Sequence, residues 1–496
     1  MRRRTLQVAP YPPGPNAFPF IGHTFQVPNQ HTWRYFHWLS QKYGPVVRLS
    51  LAGNDTVVLS DAKDAEEILV HRSHNYSSRK QLIYAGKYQS QNKRLVLLPY
   101  GTALKQQRAA FHQMLKPRVV GAYEFMQEIE STKFLLDFLV RPENTDMHCK
   151  RFAAAMVFYL SYGRRLPNDG QDLNAVLAVL DNFTKDTYPG AHLVDTLPIL
   201  DRLPDFLAPW RTEACTKHEK EMKLYIRLVL EVNEEMLKGN FGIECFSARL
   251  WEKQRDLGLD IKDIAYIAGS AFEAGTDTTA GTFQWFLMAM LLYPDTMRKA
   301  QGELDAILGA DGKTLPCFAN MKDLPYCTAL VKEVFRWSPV APGGFPHYSD
   351  TDDEYKGYLI KAKTMVIPCV WSMHRNPKEF ADPGRFEPER FLRQGGCDEP
   401  ESLTEGHYGF GFGRRICPGQ HLGSKTIWIG ITRLLWAFTI EPTLDAEGNP
   451  TAVDPDNCTS GMSSKPINLP LRVTARSKRH EETILREWEE HSSFGS

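Results

Sequence analysis

The sequence predicts an α+β fold, mainly α-helical, with a helical body and a small β-rich lobe. Helix-period apolar patterning runs from about residue 61 to about residue 310. Short β-rich runs precede it and return after about residue 345, and no internal repeat or linker divides the chain. With 496 residues, 42% of them apolar, there is ample material for a large core.

Taken in order, residues 1–30 form a proline-rich lead-in. Tyr11-Pro12-Pro13-Gly14-Pro15 fixes φ and removes donors, so this strap should lie extended on the surface. Two β-rich runs follow, Val46 to Leu51 and Thr56 to Ser60, separated by the hairpin composition Ala52-Gly53-Asn54-Asp55. The helical body is broken at Pro117, Pro167, Pro189, Pro204 and Pro209, and a long helical pattern runs from about Ile261 to Tyr293. Strands are expected at Glu354 to Ile360 and Thr364 to Val370. A Pro/Gly-rich meander then reaches Gly419, one more helix follows, and a strand pair closes the fold around Ile467 to Val473. Residues 31–475 are expected to be a single domain, and 476–496 a charged C-terminal extension. The tail reads as a solvated extension, with a partner-binding helix as the alternative.

Lys+Arg and Asp+Glu both number 59, so the field that gathers phosphates is missing and a nucleic-acid function is excluded. The nine cysteines are scattered without CxxC or zinc-ligand spacing, which suits a reduced compartment. No apolar run reaches the ~18 residues of a membrane span, and Met1-Arg2-Arg3-Arg4 lacks the apolar stretch of a signal peptide. The chain as it stands is therefore expected to carry no anchor.

The most informative stretch is Phe410-Gly411-Phe412-Gly413-Arg414-Arg415-Ile416-Cys417-Pro418-Gly419, followed at once by a helical apolar pattern. A cysteine delivered to a helix N-terminus by a glycine-rich loop has its thiolate favoured by free N–H groups and the helix dipole. Upstream, Ala274-Gly275-Thr276-Asp277-Thr278-Thr279 places β-branched hydroxyls and a glycine in mid-helix. Such hydroxyls can bond back to a carbonyl four residues earlier and open the ladder. Glu333-Val334-Phe335-Arg336 sets a carboxylate and a guanidinium three apart on one helix face, and Phe386-Glu387-Pro388-Glu389-Arg390-Phe391 follows some fifty residues on.

Together these motifs, in this order and across nearly the whole chain, resemble the cytochrome P450 family. The resemblance implies haem b (iron protoporphyrin IX) with Cys417 as metal ligand and axial thiolate. Arg415, Phe410, Gly413, Arg108 and His347 are its further contacts. Asp277 and Thr278 would manage proton delivery, and Glu333, Arg336 and Arg390 would form a supporting ion network. Ala271, Phe272, Gly275 and Phe345 would line the substrate pocket, Gly275 leaving room for dioxygen. One departure stands out: Leu104 and Lys105 replace the Trp and Arg of the family's W-R-x-x-R helix, while Arg108 remains.

The implied function is monooxygenation of an apolar small organic substrate by O2, a step in fungal secondary-metabolite biosynthesis. Alternatives are a detoxifying monooxygenase, a reductase-independent isomerase or peroxygenase, and a non-catalytic haem sensor. No flavin or nicotinamide domain is present, so electrons are expected from NADPH-cytochrome P450 reductase. Its docking face would be basic, formed by Lys105, Arg108, Lys116, Arg118, Arg414, Lys425 and Arg433. The chain is expected to be a monomer, with peripheral membrane contact left open. Its place would be the cytosolic face of the endoplasmic reticulum if an anchor is missing from this chain, and otherwise the cytoplasm.

Overall fold

The computed structural model describes residues 9–19, 21–51, 53–167, 170–239, 245–392 and 402–492. Met1 to Arg4, Ala52, Cys397 and Ser493 to Ser496 lie outside them. The principal helices are α1 (Thr102–Leu115), α2 (Glu124–Val140), α3 (Thr145–Tyr162), α4 (Gln171–Asp186), α5 (Pro209–Leu237), α6 (Ile261–Leu292), α7 (Pro325–Trp337), α8 (Gln420–Ala437) and α9 (Lys478–His491). The strands are β1 (Val46–Leu51), β2 (Asn54–Leu59), β3 (His347–Tyr348), β4 (Asp353–Tyr355), β5 (Tyr358–Ile360), β6 (Met365–Pro368), β7 (Phe438–Pro442) and β8 (Leu471–Ala475).

Helix α6 is buried around most of its circumference, as expected for an element that crosses the centre of a core. A capping box starts it: Asp263 N–H donates to Asp260 Oδ1 (2.7 Å) and Asp260 N–H to Asp263 Oδ2 (3.1 Å). It packs most extensively along α3. The threonine hydroxyls do bond back to carbonyls, Thr276 to Phe272 O (2.6 Å) and Thr282 to Thr278 O (2.9 Å). They leave the helix unbroken, because neighbouring helices clamp it on both sides. Phe134 of α2 stacks on Phe152 of α3 with ring centres 4.7 Å apart and meets Phe283 of α6 at 5.1 Å.

The larger sheet has the order β1-β2-β6-β3, with β2 and β6 parallel (Thr56 opposite Met365) and the other pairs antiparallel. Three sequence expectations are corrected. The run from Glu354 to Ile360 is a two-stranded hairpin, because Lys356 (φ 52°) and Gly357 (φ 76°) reverse the chain. The closing strand pair, expected around Ile467 to Val473, joins β8 (Leu471–Ala475) to β7, which follows directly on the helix α8. The tail is not a free solvated extension: α9 docks on α2, burying His480, Thr483 and Ile484. Thr483 donates to Gly312 O (2.8 Å), and the Trp488 ring lies 5.0 Å from the Arg165 guanidinium carbon.

Candidate active site

The loop ahead of α8 and the middle of α6 carry the residues singled out by sequence. Cys417 N–H donates to Phe410 O (2.9 Å), which closes the glycine-rich loop, and α8 begins three residues later. Gly413 has φ 57°, and a Cβ there would sit 2.0 Å from Leu69 O, so only glycine fits. The Phe410 ring packs 5.2 Å from Phe335 and 5.5 Å from His407. The thiolate bias expected from the helix N-terminus is corrected. Burial pushes the Cys417 thiol up, and this outweighs the downward pull of the Gly419 N–H and the Arg108 guanidinium. Coordination to a metal cation reverses that balance.

Three guanidinium groups and an imidazole form a series of charged neighbours, Arg108 facing this sulfur, Arg415 facing Arg108, Arg79 facing Arg415, and His347 facing Arg79 and Arg415. Arg108 donates to Ile416 O (3.0 Å), and Arg415 to Ser77 O (2.7 Å) and Leu98 O. Arg79 donates to Phe345 O (3.1 Å) and Pro346 O (2.5 Å), and His347 Nδ1 pairs with Tyr76 O (2.7 Å). Among the described residues their hydrogen-bond partners are main-chain carbonyls, and Arg79 Nε is buried with none. Burial and then the charge of Arg108 push Arg415 down to about 10. Burial and Arg415 depress Arg79, burial and Arg79 depress His347, and burial depresses Arg108. Half-buried cations that disfavour one another in this way fit a ligand carrying two carboxylates, and a soft thiolate donor near them fits its metal. Arg79 escaped the sequence reading.

On α6, Ala274 is exposed while Gly275 and Thr278 are half-buried. Thr278 Oγ1 donates to Ala274 O (2.8 Å). Asp277 turns elsewhere: its Oδ2 accepts from the Ser463 hydroxyl (2.6 Å) and its Oδ1 from Lys465 Nζ (3.1 Å). Neither Ser463 nor Lys465 belonged to a recognisable motif. Phe272 is corrected as a pocket residue: it is fully buried, its ring centre 5.4 Å from Phe158 and 6.2 Å from Tyr162 of α3. Ala271 is buried and Phe345 half-buried. Gly275 has a packing reason rather than an open space beside it, since a Cβ would meet Val157 Cγ2 at 2.3 Å.

Glu333, Arg336 and Arg390 come together. Glu333 Oε2 accepts from Arg336 Nε (2.7 Å), and its Oε1 accepts from Arg336 Nη2 (2.7 Å) and Arg390 Nε (3.2 Å). Arg336 also donates to His374 O (3.0 Å), Pro383 O (2.8 Å) and Arg385 O (3.0 Å), tying α7 to the meander. Leu104 is buried and fills its place as an apolar group. Arg433 is corrected as a member of a basic face: it is buried, donating to Pro316 O (2.8 Å), Ser131 Oγ (2.9 Å) and Thr132 Oγ1 (2.8 Å).

A second charged cluster, unforeseen in the sequence, joins three segments beside α6. Arg94 Nη2 donates to Glu221 Oε2 of α5 (2.8 Å) and Glu273 Oε1 of α6 (3.2 Å), and all three side chains are at most 5% exposed. Glu221 also accepts from Gln89 Nε2 (2.8 Å) and Tyr266 OH (2.9 Å), whereas Glu273 accepts from Arg94 alone among the described residues. Burial, reinforced by the Glu221 charge and opposed by Arg94, pushes Glu273 up to about 8.

The comparisons with known proteins agree with this architecture. The family described as Cytochrome P450 matches residues 12–470. Cytochrome P450 monooxygenase 58 of Postia placenta is 35% identical over 94% of this chain and 89% of its own length. Cytochrome P450 monooxygenase 253 of the same fungus is 34% identical over the same shares. Cytochrome P450 monooxygenase aneD of Aspergillus aculeatus is 32% identical over 97% of this chain and 91% of its own length. The chain belongs to the cytochrome P450 family, whose members are haem-iron oxidoreductases. Among the described residues, no helix is long and apolar enough to cross a membrane.

Proposed function

We propose that this chain is a haem-thiolate monooxygenase that inserts one atom of O2 into an apolar small organic substrate. Haem b would be held by the Cys417 thiolate. The observation that carries this reading is the set of half-buried Arg79, Arg108 and Arg415 with buried His347, which has carbonyl partners and lacks a counter-anion among the described residues. Two propionates would supply that charge. When bound, the cofactor supplies dioxygen activation, and its thiolate ligand favours O–O cleavage.

The protein's own groups do the rest. Gly413 lets the loop pass close to Leu69, and Phe410, packed on Phe335, would shield the flank of the sulfur from water. Asp277 takes up protons from solvent and Thr278 Oγ1 carries them to the oxygen side. The Glu333, Arg336 and Arg390 network holds α7 against the meander that leads to Cys417. Electrons come from NADPH-cytochrome P450 reductase, docking on exposed Lys105, Lys116, Arg118 and Arg414. Exposed Leu193, Leu197, Ile199, Phe206 and Leu207 lie within one stretch and support peripheral contact with the cytosolic face of the endoplasmic reticulum by a monomer. The reaction is placed as a step in fungal secondary-metabolite biosynthesis.

The test is spectroscopic and then catalytic. Reduced, carbon-monoxide-treated protein should give a thiolate-type Soret band that Cys417→Ala abolishes. With reductase and NADPH, extracts of a host lacking the gene should yield a metabolite that gains oxygen, and Thr278→Ala should suppress it. A band that survives Cys417→Ala, or no oxygenated product in any extract, overturns the reading.

A further inference from the structure

The acid of the α6 motif is not poised over its neighbouring hydroxyl. Both Asp277 oxygens are engaged by the C-terminal loop, Oδ2 by the Ser463 hydroxyl and Oδ1 by Lys465 Nζ, while Thr278 Oγ1 spends its proton on Ala274 O. The contact is built from both sides. One turn beyond Asp277 stands Gly281, where a Cβ would lie 2.9 Å from Val340 Cγ2 and 3.6 Å from Lys465 Cβ, so the glycine lets Val340 close on the helix and the lysine stem lies alongside it. The intervening Ser464 is pinned, its N–H donating to Val340 O (2.7 Å) and its O accepting from Trp285 Nε1 (2.8 Å). A short turn closes the loop, with Thr459 N–H donating to Lys465 O (2.8 Å) and Lys465 N–H to Thr459 Oγ1 (3.1 Å). Pinning Ser464 aims the residues on either side of it at one carboxylate.

We propose that Ser463 and Lys465 are positioning residues that park the Asp277 carboxylate on the C-terminal loop, so that proton passage to Thr278 waits for the loop to let go. This rests on the reading of Asp277 and Thr278 as the proton-delivery pair. The side chains of Lys465 and Asp277 are 24% and 23% exposed, and a partly solvated ion pair of this kind is weak enough to open during turnover. Once Lys465 withdraws, a solvent proton binds an Asp277 oxygen. It passes to Thr278 Oγ1 as that hydroxyl gives up its own proton toward the site, and the carboxylate then returns to Lys465. No electron moves in this exchange, and each proton that leaves is replaced from solvent. The loop also carries Met462 beside Ser463, so a molecule pressing on this loop would act directly on Asp277.

The experiment uses the purified holoenzyme with reductase and NADPH, without added substrate, in H2O and in D2O. NADPH oxidation is followed for the parent and for Asp277→Asn, Lys465→Met, Lys465→Arg and Ser463→Ala. Lys465→Met is expected to raise the rate about threefold or more and to increase the solvent isotope effect, because loop release no longer masks the proton transfer itself. Lys465→Arg should restore the parent values, and Lys465→Met should change nothing in an Asp277→Asn background. A rate that stays level or falls in Lys465→Met overturns the proposal. If Asp277→Asn itself leaves both rate and isotope effect unchanged, the proton-delivery reading fails instead. A second measurement needs no turnover: melting temperatures of the resting holoenzyme for the Asp277→Asn and Lys465→Met pair should be non-additive, and strict additivity overturns the contact on which the proposal stands.

Discussion

Glu273→Gln should make the protein's stability less sensitive to alkali. Glu273 is buried against Arg94 and Glu221, two carboxylates facing one guanidinium. Glu221 is met by three donors whereas Glu273 meets Arg94 alone among the described residues, so Glu273 carries the proton. With a folded-state value near 8 against an ordinary 4.5, the folded protein binds this proton more tightly than the unfolded chain does. Stability is therefore greatest below about 4.5 on this account and declines as the pH rises toward 8, by up to about 1.4 kcal/mol per pH unit. Across the whole window the ceiling is about 5 kcal/mol, and about half of that is expected, since a buried site relaxes and admits water on ionisation. His218 and Gln89 border the cluster, burial lowers the proton affinity of His218, and Tyr162 of α3 feels the Glu273 charge. Urea unfolding followed by tryptophan fluorescence at pH 5.5, 7 and 8.5 measures the effect. Glu273→Gln should match the parent at the acid end and exceed it at the alkaline end, while Glu221→Gln should weaken the fold throughout. Parallel curves for Glu273→Gln and the parent would refute the assignment of the proton.

Three further outcomes follow from packing and charge. Glu333→Ala strands the buried Arg336 and should cost about 3 to 5 kcal/mol, read as a lower melting temperature and poor pigment retention. Gly275→Ala should destabilise by about 1 to 3 kcal/mol through collision with Val157, and Val157→Ala in the same chain should recover most of it, as a double-mutant cycle in thermal melting will record. Phe272→Ala should cost about 3 to 5 kcal/mol as a core cavity while leaving the binding spectra of apolar ligands unchanged.

What could be read from the sequence was whatever chemistry had been compressed into a short run. The Phe410 to Cys417 loop and the Glu333 to Arg336 pair keep their partners within a few residues, and the geometry brings them together as their spacing suggests. The long α6 was legible from its period. Arg79 was not, because its significance comes from Arg415 and His347, which lie hundreds of residues away. The Arg94, Glu221 and Glu273 cluster draws one charge from each of three segments, and each charge alone looks like a solvated surface residue. Phe272 was misplaced because residues adjacent on a helix point about 100° apart, so closeness to Ala274 in sequence says little about facing the same way. Strand β7 was hidden because Phe438 and Ile440 extend the apolar run of α8, and only pairing with β8 decides between the two conformations.

The parallel pairing of β2 with β6 bears on how the chain is made. The first strand is complete when residue 59 leaves the ribosome, yet its neighbour ends at Pro368. At about 5 to 20 residues per second, that interval lasts roughly 15 to 60 seconds. Throughout it the amino-terminal hairpin offers a bare row of amides and carbonyls to any extended polypeptide nearby. Nascent copies of this protein should thus depend on chaperones most heavily before the last quarter of translation.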